Sequence, residues 1–125
     1  MEKIEHKNVE VNGINMHVAE IGQGPVVLFL HGFPECWYTW RHQMSFMASH
    51  GHRAVTPDLR GFGGTTGAPI DDPGKFTTLH VVGDIIELLE IVASDEDKVF
   101  LVGHDWGAVM ACALCLYRAA KVKAL

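Results

Sequence analysis

Apolar and polar positions along the chain change period several times, and each change marks an element. Val9–Val11 and Ile14–Ala19 read as paired strands, separated by Asn12-Gly13, the strongest two-residue hairpin signal. Gly22-Gln-Gly-Pro25 breaks the chain, and Val26–Leu30 then runs apolar without alternation, as a strand buried on both faces of a parallel sheet does. From Cys36 to His50 the residues Trp37, Trp40, Met44 and Met47 recur at helical spacing, with Gly51 as the stop. Ala54–Thr56 predicts a short strand that leads into the glycine-rich loop Pro57-Asp-Leu-Arg-Gly-Phe-Gly-Gly64. Thr77 or Thr78 caps a helix whose face is Leu79, Val82, Ile86, Leu89 and Ala93, with Asp84, Glu87 and Glu90 turned to water. Val99–Val102 predicts a second buried strand, Trp106–Arg118 a helix, and Val122–Leu125 the start of one more strand. Strands alternating with helices behind an antiparallel hairpin imply an α/β fold with a mostly parallel sheet.

Composition narrows this reading. The 125 residues are 48% hydrophobic, one domain's worth of chain with enough apolar material for a core. A net charge of −5 leaves no basic stripe to meet phosphates, which argues against a nucleic-acid partner. No apolar run of membrane-spanning length occurs, and Met1–Lys7 carries no apolar core of a secretory signal. Cys36, Cys112 and Cys115 form an odd count, and Cys112-x-x-Cys115 lies inside an apolar helix without a second pair to complete a metal site. Buried free thiols and a cytoplasmic location are the expectation.

The chemistry concentrates at Gly103-His-Asp-Trp-Gly107, placed between the apolar strand and the following helix. Small residues on both sides of a central nucleophile are what a tight, strained strand-to-helix turn requires. This is the pattern of the nucleophile elbow of α/β-hydrolases, with Asp105 where G-x-S-x-G enzymes carry serine. A carboxylate attacking an acyl carbon gives only an anhydride, whereas attack on a saturated electrophilic carbon gives an ordinary ester. Epoxides and alkyl halides are the electrophiles that fit. The helix N-terminus favours the ionised form of Asp105. His31-Gly-Phe-Pro34 follows the first buried strand, and hydrolysis of an ester needs fixed N–H donors for the oxyanion. The backbone N–H groups of Phe33 and Trp106 are the candidates. Gly32 permits close approach of backbone to ligand, and Pro34 restricts Phe33. His104 is expected to orient or pack; Trp37 and Trp40 to sit in the core. Trp106 has cavity-lining and packing roles open to it. Asp58 and Arg60 are expected to form a local ion pair.

The stretches 31–41, 58–63, 65–69 and 103–107 resemble the soluble epoxide hydrolases, those of plants in particular. The resemblance covers essentially all of residues 1–125, read as a partial α/β-hydrolase domain lacking the cap domain and C-terminal part. It implies that Asp105 is the alkylating nucleophile and that Phe33 and Trp106 supply the oxyanion hole. Phe33, Pro34 and Trp106 would line the substrate, while His31, Gly32, Gly103, His104 and Gly107 support the site. It also implies a cis Phe33–Pro34 peptide, a small-molecule epoxide as substrate, and no metal or organic cofactor. Haloalkane dehalogenases share the Asp-Trp elbow, but they typically carry Asn where this chain has Phe33. The family's cap tyrosines and its water-activating His–acid pair lie downstream, so attack without turnover is expected of the 125-residue chain. Tyr38 and Tyr117 are assigned packing roles. Gly64 replaces a common polar residue and is expected to loosen its loop, and Arg118-Ala-Ala120 lacks the family's proline, letting the helix run on. An incomplete partner strand would leave Val99–Val102 as an apolar edge, which predicts marginal stability and self-association. Three functions follow: an epoxide hydrolase, a dehalogenase-type hydrolase, or a non-catalytic truncated paralogue that acts by association.

Overall fold

The turn at Asn12-Gly13 sets the first strand pair. Strands β1 (Glu5–Val11) and β2 (Ile14–Ile21) run antiparallel with Val11 opposite Ile14, and the turn residues have φ of +48° and +80°. Left-handed values at both positions are the type I′ geometry that matches strand twist. The computed structural model describes residues 3–125; Met1 and Glu2, the head of the segment read above for a signal, lie outside the described residues.

Four more strands complete a mixed sheet: β3 (Val26–Leu30), β4 (Arg53–Pro57), β5 (Val99–Gly103) and β6 (Val122–Ala124). The spatial order is β1-β2-β4-β3-β5-β6, antiparallel through β4 and parallel from β4 onward. Helices α1 (Arg41–Ser49), α2 (Thr78–Val92) and α3 (Trp106–Tyr117) connect the parallel strands. The unbroken apolar run of β3 has a direct cause. Val26, Leu28 and Leu30 face the larger core with α2 and α3, while Val27 and Phe29 face a smaller core with Met44 of α1.

Several expectations are corrected. The Cys36–His50 helix divides, with a 3-10 turn at Trp37–Trp40 before α1. Trp37 and Trp40 are half-buried and pack on the edge of the smaller core. On α2, Val81, Ile85, Leu88 and Val92 form the buried stripe with Val82 and Leu89, whereas Leu79 is exposed. The helix is apolar nearly all round, so the choice between two stripes falls to Asp84. That residue is fully buried against Arg60, not turned to water. Cys112 is exposed and Cys36 and Cys115 only half-buried, because Cys112 shares the outer face of α3 with Val109 and Leu116. Tyr38 and Tyr117 are likewise about half exposed. Helix α3 ends at Tyr117 in a 3-10 turn, so the missing proline does not extend it. β6 forms and covers β5 at Val99 and Phe100, which moves the free edge of the sheet to β6.

Leu101 is a central test of the larger core, at 2% exposure on β5. Leu101→Ala is expected to cost about 2–5 kcal/mol in urea unfolding. Leu116→Ala, on the exposed face of α3, should stay within about 0.5 kcal/mol of the parent.

Candidate active site

The strand order itself opens the site. From β3 the chain crosses to β4 on one side through α1, then returns past β3 to β5 through α2. The carboxyl ends of β3 and β5 are therefore neighbours from which the connections diverge, and such a switch point leaves a crevice. His31–Pro34 leaves β3 there, and His104–Gly107 leaves β5.

At the end of β5 the chain turns through Asp105 with φ +57° and ψ −124°, a left-handed conformation rare for a residue with a side chain. Two glycines make the turn possible. A Cβ on Gly107 would stand 2.0 Å from the Leu30 carbonyl oxygen, and one on Gly103 would stand 2.6 Å from that of Gly107. The His104 N–H donates to the Leu30 carbonyl at 3.3 Å, and the Gly107 N–H donates to the His104 carbonyl at 2.9 Å. Asp105 occupies the N-cap of α3, yet its side chain does not cap the helix in the usual way. Its Oδ2 instead accepts from the Phe33 N–H at 3.0 Å. That bond, and then the Trp106 N–H, hold the carboxyl below its ordinary 3.8. The sequence reading gave the helix N-terminus as the cause; the larger contribution comes from the β3 loop.

The loop is built to deliver that N–H. The Phe33–Pro34 peptide is cis, and Glu35 turns back so that its Oε1 accepts from the Gly32 N–H at 2.9 Å. A Cβ on Gly32 would stand 2.5 Å from the Asp105 Cβ, so only glycine lets the two segments meet. His31 is buried; its Nε2 accepts from the Leu59 N–H at 2.9 Å, which places the ring proton on Nδ1, 2.9 Å from the Gly32 carbonyl. Burial pushes this imidazole below the ordinary 6.5. Of the orienting and packing roles expected for His104, packing does not occur: its side chain is exposed, with Nδ1 3.6 Å from Glu35 Oε1. Its structural contribution is through the backbone.

Sequence reasoning missed Glu35 and misassigned Asp58. Nothing in local spacing signals that Glu35 folds back onto Gly32. Asp58 does not pair with Arg60. It accepts from the Trp37 N–H at 2.7 Å and the Gly64 N–H at 2.9 Å, with His17 Nδ1 at 2.8 Å. Gly64 is thereby anchored rather than loosened. Arg60 turns the other way, to α2.

A cavity of about 400 Å³ opens beside the turn, lined by the rings of Phe33, Phe62, Phe76 and Trp106. Phe33 and Trp106 are 61% and 53% exposed and free to meet a ligand, so the cavity-lining role open to Trp106 fits its position. A larger groove of about 580 Å³ lies over Phe29 and Phe100 on the α1 face, away from Asp105, and holds none of this chemistry. Among the described residues no three His, Cys, Asp or Glu side chains gather to hold a metal ion. No helix among them is long and apolar enough to cross a membrane.

His31 gives the site a pH signature. The folded chain keeps the ring neutral, while the unfolded chain takes up a proton below pH 6.5, so stability falls as pH drops through that region. The unfolding free energy of the parent minus that of His31→Asn should therefore decline from pH 7 to pH 5. A pH-independent difference would show that burial of His31 carries no such linkage.

The α/β hydrolase fold family model matches residues 25–125. Epoxide hydrolase 2 of Siraitia grosvenorii is 60% identical over all 125 residues, which span 38% of that protein's length. An epoxide hydrolase of Caballeronia sordidicola is 47% identical over 122 residues, 36% of its length. Among solved structures, potato (Solanum tuberosum) epoxide hydrolase I is 65% identical with a TM-score of 0.97, covering 98% of this chain and 39% of that one. The chain thus spans well under half the length of these relatives, and 98% of it superposes on the potato enzyme. It belongs to the α/β-hydrolase fold family.

Proposed function

We propose that the site performs the chemistry of an epoxide hydrolase, with Asp105 as nucleophile. The observation that carries this reading is the Asp105 carboxylate, held at the elbow by the Phe33 N–H at 3.0 Å and turned away from capping its own helix. The names of the similar plant and bacterial proteins support the choice of epoxide.

In this reading Oδ2 stays on the Phe33 N–H, with the Trp106 N–H as the second donor to the carboxyl, while the other oxygen, Oδ1, attacks. A new Oδ1–carbon bond forms as the strained carbon–oxygen bond of the epoxide breaks. The released alkoxide takes a proton from a donor or solvent. The ester's carbonyl oxygen is then Oδ2, already seated on the Phe33 N–H. Water attacks the ester carbon, and negative charge develops on the oxygen that this N–H holds. Collapse breaks the Cγ–Oδ1 bond: Oδ1 leaves with the vicinal diol, the water oxygen completes the Asp105 carboxylate, and the two water protons go to the departing oxygen and to solvent. Phe33, Pro34 and Trp106 flank the entering substrate. His31 is not the base for the water, since both of its ring nitrogens are engaged and its ring is buried. Residues 3–125 supply the attack and the oxyanion donors, and no turnover is assigned to them alone.

Incubation with an aryl epoxide should add one epoxide mass to the 13.8 kDa chain, read by intact-mass spectrometry. The Asp105→Ala chain should gain none; an equal adduct on it would sink the assignment. Because the carboxyl lies below 3.8, adduct formation should hold its rate across neutral and mildly acidic pH and decline only below that value. Gly32→Ala pushes on Asp105 Cβ and should slow alkylation by about 100-fold, as a misplacement near 1 Å does.

A further inference from the structure

Arg60 stands apart from the chemistry just described, yet it lines the same cavity. Its side chain is nearly buried, and every nitrogen of the guanidinium is committed. Nε and NH2 form a fork on the two oxygens of Asp84, each at 2.8 Å, and NH1 donates to the Lys75 carbonyl at 3.2 Å. Asp84 has no exposure at all, and its Oδ1 also accepts from Asn12 Nδ2 at 2.9 Å. The bonds run between the two walls of the cavity. On one side is the loop Leu59–Phe62, which carries Arg60 itself. On the other are Phe76, Thr77 and Thr78, directly after Lys75, and α2, which carries Asp84.

We propose that Arg60, braced by Asp84, determines which substituents the Asp105 cavity admits, by fixing the separation of these two walls. Phe76 packs against Gly61, and Phe62 meets both His31 and Phe33 edge-on with ring centroids 5.3 and 5.9 Å apart. A shift of the Arg60 wall is therefore a shift of the aromatic lining. A planar fork holds both distance and angle, which a lysine at the same place does not. The brace uses the cavity of the epoxide reading and rests on it for the identity of the substrate. Its effect on cavity shape is measurable without any reaction.

Two unreactive vicinal diols serve as gauges: styrene glycol with one phenyl ring and hydrobenzoin with two. Both are titrated calorimetrically against the 125-residue chain and against Arg60→Met/Asp84→Leu, with thermal melts alongside. Replacing both partners removes the brace without leaving a lone buried charge, so the variant is expected to melt cooperatively. With the walls released, the affinity ratio of hydrobenzoin to styrene glycol should rise by about 10-fold, the scale of discrimination by apolar pocket contacts. A ratio unchanged in a cooperatively melting variant overturns the proposal. If the double variant does not fold, Arg60→Lys decides: it keeps the charge on Asp84 but loses the fork. The ratio must then move in the same direction, and a parent-like ratio overturns the proposal. The diols cannot alkylate Asp105. A chain that forms no epoxide adduct but shifts its diol ratio defeats the epoxide reading and leaves the brace standing. A chain that forms adduct with an unshifted ratio defeats the brace alone.

Discussion

The approach of α3 to the end of β3 is the constraint on which the site depends. Gly107 lies so close to the Leu30 and His31 carbonyls that any side chain would collide with backbone, not with a side chain able to move. That approach places Asp105 beside the loop from β3, and the Phe33 N–H can then reach its carboxylate. A left-handed conformation at a residue with a Cβ costs on the order of 1 kcal/mol or more, so it persists only where surroundings over-determine it. Here they do. The His104 N–H on Leu30 fixes the turn from one side, and the Gly107 N–H on His104 closes it from the other.

Around this contact the fold satisfies buried polar groups through a few carboxylates that each serve several elements. Asp58 ties the end of β4 to β2 through His17, to the segment after the β3 loop through Trp37, and to its own loop through Gly64. Asp84 ties α2 to the hairpin turn and to Arg60. Burying a carboxylate carries a large desolvation cost, which is offset only when its oxygens are fully bonded. Each of these two makes at least three hydrogen bonds. The loops that wall the cavity are thus held by buried ion pairs and hydrogen bonds, while most of the cavity surface is aromatic and apolar.

What could be read from the sequence follows from range. Signals within a few residues were legible: Asn12-Gly13 as a turn, the five apolar residues of β3, and a cap at Thr77 or Thr78, which the structure places at Thr77, accepting from the His80 N–H. The turn at Asp105 was legible because both of its steric demands fall on glycines two residues to either side, Gly103 and Gly107. The partners of Asp58 and Arg60 were not, because they lie on β2, on the segment after β3 and on α2, and spacing along the chain carries no information about them. The buried face of α2 failed for a related reason. With apolar residues nearly all round the helix, periodicity offers two stripes, and the choice rests on the ion pair to Arg60. Glu35 was invisible for the same cause at shorter range, since its role depends on how the loop folds back upon Gly32.

The lowered ionisation of Asp105 bears on why the two N–H groups are there. A carboxyl at its ordinary 3.8 is already ionised at neutral pH, so lowering it further adds no charge. It also removes some nucleophilicity, since a carboxylate stabilised by donors is a weaker base. If attack were the only demand, the Phe33 and Trp106 N–H groups would be a disadvantage. Two other effects account for them. In the epoxide reading, holding Oδ2 on the Phe33 N–H leaves the other oxygen to attack and removes the entropy of choosing between them. On the same reading the two N–H groups also stand ready for the charge that would form on the held oxygen when an ester is hydrolysed, where a fixed donor gains more than it loses in the ground state. If Asp105 is the nucleophile proposed above, this arrangement favours the later step at some expense to the first, the balance expected of a site whose ester must be cleared.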